Sequence, residues 1–159
     1  MLHTRNFGDI EVPQDKVIHI KGGIPGLDCM RRCFLVKVED TLPIYWLQSV
    51  EDGSIALPVI NPLVVDGAYA PQVEDSLLAE LALDREEDLL IVNVAVIPRD
   101  VKHMTANMAA PILINIERNI GRQVVLDEGA YPMRLPIYEA VCLFRKGEAE
   151  DAGADQKAQ

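Results

Sequence analysis

Residues 89–97 read LLIVNVAVI, apolar throughout except for Asn93. Successive side chains of an extended strand point to opposite faces. A run that does not alternate therefore needs apolar cover on both sides, as a strand buried on both faces or held within a closed sheet has. This one segment suits a strand buried on both sides or within a closed sheet.

The rest of the chain supplies short partners for such a strand. Lys16–Lys21 (KVIHIK) places Ile18 and Ile20 on one face and Val17 and His19 on the other. Phe34, Val36 and Val38 alternate in the same way. Tyr45–Val50 and Ile55–Ile60 flank Glu51-Asp52-Gly53-Ser54 and read as a hairpin, with Asp52-Gly53 supplying the turn. Ile112–Ile116, Gln123–Leu126 and Ala140–Phe144 are predicted as further strands. Gly22-Gly23-Ile24-Pro25-Gly26, Asn61-Pro62, Asp66-Gly67, Pro98 and Asn119-Ile120-Gly121 punctuate them. Many short strands with frequent turns predict an all-β fold, a sandwich or a barrel.

One segment departs from that pattern. In Gln72–Leu83, Val73, Leu77, Leu78 and Leu81 fall at helical spacing, with Glu74 and Asp75 in the first turn, where carboxylates suit the helix dipole. A short helix is predicted over 72–83, and a further helical turn over 84–88. From Glu74 to Asp88 the acidic residues are Glu74, Asp75, Glu80, Asp84, Glu86, Glu87 and Asp88, against Arg85 alone. The expected domain spans 1–144, and the small polar residues of 145–159 are expected to form a disordered tail.

At 159 residues the chain suggests one domain that buries roughly 70% of its unfolded surface. The net charge of −10 comes without a Lys/Arg cluster, which argues against direct contact with nucleic acid and for encounter with basic partners. The three cysteines, Cys29, Cys33 and Cys142, form an odd set without a secretory signal, so a reducing, cytoplasmic address is expected. No apolar run reaches the roughly 18 residues of a membrane span.

The residues that chemistry would need are not arranged for it. His3, His19 and His103 lie far apart, and Cys29-x3-Cys33 has no second pair, so no metal site is predicted. The Gly22–Gly26 stretch lacks both the dinucleotide and the P-loop spacing, and Pro25 removes a donor that a phosphate cradle would use. Glu39-Asp40, Glu51-Asp52 and Glu87-Asp88 are adjacent in sequence, which in a strand turns them to opposite faces. A carboxylate-dependent hydrolase remains the rival class. Asn107, Asn115 and Gln123 sit within or beside apolar strands and are expected to tie strands and loops together. The prediction is a binding module without a cofactor, not an enzyme.

Several segments, in order, carry a resemblance: FGDIEV (7–12), GIPGL (23–27), WLQSVED (46–52), NP (61–62), EED (86–88), TANMAAPILIN (105–115), GRQVVL (121–126) and Tyr131. Together they resemble the flagellar assembly factor FliW family. Leu27 stands where the family commonly has Phe, and Ala56-Leu57-Pro58-Val59 replaces a strand that more usually contains Phe. The resemblance implies a small single-domain β-barrel that binds two proteins. One is flagellin, through a helical terminal region. The other is the translational regulator CsrA, which the factor antagonises when free of flagellin, relieving repression of flagellin translation. Neither nucleic acid nor membrane is implied as a direct partner.

With those partners in view, an amphipathic helix calls for an apolar groove. Ile24, Leu27, Tyr45, Trp46 and Tyr69 are the candidate anchors, with core packing the alternative for each. Glu51, Asp52, Glu86, Glu87 and Asp88 are the candidate acidic rim.

Overall fold

The structure is a computed structural model, and it describes residues 1–147. Its strands are β1 (Leu2–Thr4), β2 (Gly8–Ile10), β3 (Ile18–Ile20), β4 (Arg32–Val36), β5 (Ile44–Ser49), β6 (Ala56–Ile60), β7 (Leu89–Val96), β8 (Thr105–Ala106), β9 (Ile112–Asn115), β10 (Ile120–Gln123) and β11 (Leu135–Pro136). The order β7-β6-β5-β4-β3-β10-β9 closes on itself through a β7–β9 pairing, giving a barrel of seven strands. Every junction of the barrel is antiparallel except β10 with β3.

The apolar run at 89–97 is the seam of this closure. Leu89–Val92 pair with β9, Asn93 and Val94 with β6, and Ala95 and Val96 with β8. Leu90, Val92 and Val94 point into the barrel with Ile18, Met30, Leu47 and Ile112. Ile91 and Ala95 point outward and are covered by the residues outside the wall. Both faces are therefore covered from Leu89 to Ala95, as the unalternating sequence predicts; Val96, at the end of the strand, is 63% exposed and departs from that expectation.

Two apolar layers lie outside the barrel. Helix α1 (Pro62–Val65) is started by Asn61, whose Oδ1 accepts the Leu63 N–H, and carries Pro62 in its first turn, a favoured place for proline. It helps cover Ile44, Ile60 and Tyr69. Helix α2 (Asp75–Glu80) lies within the predicted 72–83 span and brings Leu77 and Leu78 onto Leu113, Val124 and Leu126. The acidic stretch after it forms a 3-10 turn at Glu86–Asp88.

The predicted strand at Ala140–Phe144 is a helix instead: residues 138–147 form α3. A short apolar run is equally compatible with either element until its partners are known. Here Ile137 and Val141, four residues apart, are buried against Met104 and Ala106, while Leu143 faces solvent at 70% exposure. The helix takes in 145–147; the remainder of the predicted tail, 148–159, lies outside the described residues. Strand β10 also begins earlier than predicted, because Asn119 takes a positive φ of 56° and reverses the chain there. The N-terminal hairpin β1–β2 is a separate two-stranded sheet that the residue pattern did not reveal.

Candidate partner-binding site

At one mouth of the barrel the wall opens. Beyond Ile20, the chain turns away through Gly22 and Gly23, both in the left-handed region at φ 76° and 63°, where a residue with a Cβ is strained. Ile24 to Leu27 forms a tight turn closed by the Leu27 N–H donating to the Ile24 carbonyl at 2.9 Å. Between this turn and the barrel wall lies a groove of ≈ 530 Å³. Ile24, Leu27, Leu57 and Val94 form its apolar base and pack against the barrel core. Val96, Val125 and Met133 stand around it at 63%, 78% and 69% exposure. These three side chains give the groove an exposed apolar rim. Arg134 is the one charged residue of the lining, in a chain of net charge −10.

The predicted residues fall into three groups. Ile24 and Leu27 line the groove, together with Asn107 and Gln123. Asn107 Oδ1 accepts the Ala109 N–H at 3.0 Å, and Gln123 Nε2 donates to the Ala110 carbonyl at 3.2 Å. These two amides hold the loop between β8 and β9 along the groove's edge. Asn115 is elsewhere: its Nδ2 donates to the carbonyls of Leu81 and Ala82, and its Oδ1 accepts from Glu117 and Arg118.

The aromatic candidates are not in the groove. Tyr69 is buried; its hydroxyl donates to the Met108 carbonyl at 2.7 Å and accepts from Asn93 Nδ2, and its ring meets Tyr131 edge-on at 4.6 Å. Burial pushes its phenol pKa up. Trp46 is half-buried, donates from Nε1 to Thr41 Oγ1 at 3.1 Å and meets Phe7 edge-on at 6.0 Å. Both rings pack within the fold, as apolar bodies with a satisfied polar tip do. Tyr45 is exposed beside Lys37 and Asn61 in a separate hollow.

The acidic candidates also separate. Ser49 Oγ accepts the N–H groups of Glu51 and Asp52 and donates to the Cys29 carbonyl, while Gln48 Nε2 faces the carbonyls of Gly53 and Ile55. Asp52 Oδ1 accepts from the Ser54 hydroxyl and its N–H, which hold its carboxyl below the usual range. Glu51–Asp52 is thus a turn built by hydrogen bonds, with Glu51 3.9 Å from Arg32. In the 86–88 turn, Glu86 and Glu87 are exposed, but Asp88 is buried to 8% exposure and paired with Arg85 at 3.5 Å. Cys33 lies in the barrel, where burial raises its thiol to about 12. No helix among the described residues is long and apolar enough to cross a membrane.

Sequence reasoning missed Val96, Val125 and Met133. The signal available was faint: Val125 lies between Val124 and Leu126, both buried, just past the end of β10, and it is apolar where the alternation turns it outward.

Comparison with known proteins gives one consistent result. The family model described as "FliW protein" matches residues 1–137. A flagellar assembly factor FliW of Caldicellulosiruptor saccharolyticus is 37% identical over 139 residues, covering 87% of this chain and 91% of that one. The factor of the same name from Alkaliphilus metalliredigens is 32% identical, covering 89% and 88%. A crystal structure of the flagellar assembly factor FliW superposes with a TM-score of 0.79 at 27% identity, over 86% of this chain and 96% of that one.

Proposed function

The chain belongs to the FliW family of flagellar assembly factors, and we propose that it acts in the cytoplasm as a two-partner binding protein. It binds flagellin, and when free of flagellin it binds and antagonises the translational regulator CsrA, so that flagellin translation proceeds. The observation that carries this reading is the apolar groove at the barrel mouth, with Val96, Val125 and Met133 exposed around it. We assign it to flagellin. An apolar segment of that protein gains by leaving water there, at roughly 25 cal/mol per Å² of apolar surface covered. The exposed acidic residues Glu86 and Glu87, on another part of the surface, suit a basic partner.

The rival hydrolase needs two carboxylates facing one another across a cleft. The groove's lining contains neither Asp nor Glu, so it offers nothing for that chemistry.

Calorimetric titration with flagellin and with CsrA, separately and then in competition, tests the proposal. Micromolar or tighter binding of each, and displacement of CsrA by flagellin, is the expected result. Failure of both to bind removes the functional reading while leaving the fold intact. Met133→Ala, which removes an exposed side chain, should weaken flagellin binding and leave the unfolding midpoint unchanged.

A further inference from the structure

The groove has a feature that a helix cannot use. Strand β10 is joined to β3 only at Ile120 and Gly121. The last bond of that junction runs from the Lys21 N–H to the Gly121 carbonyl, 2.8 Å. β3 then departs, while the chain that follows β10 keeps its bonds to the segment before β9. Its even-numbered residues stay tied to the neighbouring segment: Val124 N–H donates to the Pro111 carbonyl at 2.9 Å and Leu126 N–H to the Ala109 carbonyl at 2.8 Å. The odd-numbered residues therefore turn their backbone groups the other way, to the side β3 has vacated. In the antiparallel ladder with β9, Gln123 stands opposite Ile112 between the bonded positions, so its N–H and C=O point to that vacated side, and the N–H and C=O of Val125 have no backbone or side-chain partner among the described residues. Both residues line the groove.

Open strand edges invite pairing with another chain, and proteins guard against it with charge, proline or cover. The outermost strand β11 carries Pro136, and the β1–β2 hairpin carries His3 and Asp9. The Gln123–Val125 edge has no such guard: one residue is an amide and the other is Val125, 78% exposed.

We propose that this edge takes an extended segment of flagellin as an added strand, in the place β3 leaves. The inference rests on the assignment of the groove to flagellin and specifies how the groove is filled. A helix has already used its own N–H and C=O groups and could not bond to Gln123 and Val125. An extended chain bonds to all four groups and sends alternate side chains into the base formed by Ile24, Leu27 and Leu57, the combination of main-chain affinity and side-chain pockets that strand addition uses. Arg134, the lining's one charge, selects an acidic residue at one end of the segment. The helix face anticipated for this site is thereby replaced by a strand.

Amide hydrogen exchange on the full chain, free and saturated with flagellin, tests this directly. The Gln123 and Val125 amides should exchange fast in the free protein and become protected in the complex. Val125→Pro provides a second test. Proline is tolerated where a strand's N–H faces outward, and the Val124 and Leu126 bonds are not involved. It should weaken flagellin binding about tenfold or more by removing a donor, beyond the loss caused by Val125→Ala. Flagellin binding with these two amides still unprotected, or binding of folded Val125→Pro at the level of Val125→Ala, overturns the added strand and leaves the groove assignment standing. Absence of flagellin binding overturns both.

Discussion

The backbone N–H of Arg5 donates to the carbonyl of Gly53 at 3.0 Å, joining the N-terminal hairpin to the turn between β5 and β6. The approach is so close that a Cβ on Gly53 would lie 1.8 Å from the His3 carbonyl oxygen. Gly53 is thus required by what lies against it, since its own backbone is not in the left-handed region. Gly53→Ala should push the hairpin off, separate Phe7 from Trp46, and cost about 1–3 kcal/mol, the range for an overpacked contact. Urea denaturation measures the cost, and a change in Trp46 fluorescence reports the lost ring contact.

Tyr69 joins the loop after α1 to the loop after β8 through a single buried hydroxyl. Tyr69→Phe leaves the Met108 carbonyl without its donor and removes one acceptor from Asn93. The expected loss is about 1–3 kcal/mol, the penalty for an unsatisfied buried group. A lowered thermal midpoint with an unchanged far-UV spectrum is the expected readout. An unchanged midpoint would mean that the hydroxyl has little part in holding the two loops.

The Asp52 carboxyl has a depressed pKa because the Ser54 hydroxyl, and then the Ser54 N–H, favour its charged form. With the folded value below the unfolded one, its contribution to the turn is fully present above the ordinary carboxylate pKa of about 3.9 and is lost as pH falls through the folded value. Ser54→Ala should raise the Asp52 pKa towards the ordinary value, and carboxyl chemical shifts followed against pH measure it. The group is fully exposed, so the change should be local to the hairpin turn.

Charge reversal at the 86–88 turn must spare Asp88, because a Lys there would be buried facing Arg85. Glu86→Lys with Glu87→Lys changes exposed charge only. If this surface meets CsrA, the double variant should slow association at low salt and flatten its salt dependence, with little effect on stability. Stopped-flow association at two ionic strengths decides it. Unchanged rates would move the CsrA surface elsewhere.

Much of this protein was legible in its residues. The unalternating run at 89–97 pointed to a strand covered on both sides, as it is up to Ala95, the Gly and Pro clusters marked the turns, and helical spacing in 72–83 located α2. These are local signals, set by side-chain period and backbone freedom, and they hold wherever the segment ends up. Ala140–Phe144 was ambiguous because a short apolar run takes the conformation its neighbours cover, and here Met104 and Ala106 cover only a helical face. The exposure of Val96, Val125 and Met133, and the burial of Tyr69, depended on which chains pass over them. The open edge at Gln123 and Val125 exists only because β3 turns away after two paired residues. Side-chain periodicity prescribes which groups face together along one segment; whether a partner segment arrives opposite them is a long-range contact, and only the closed barrel decided it.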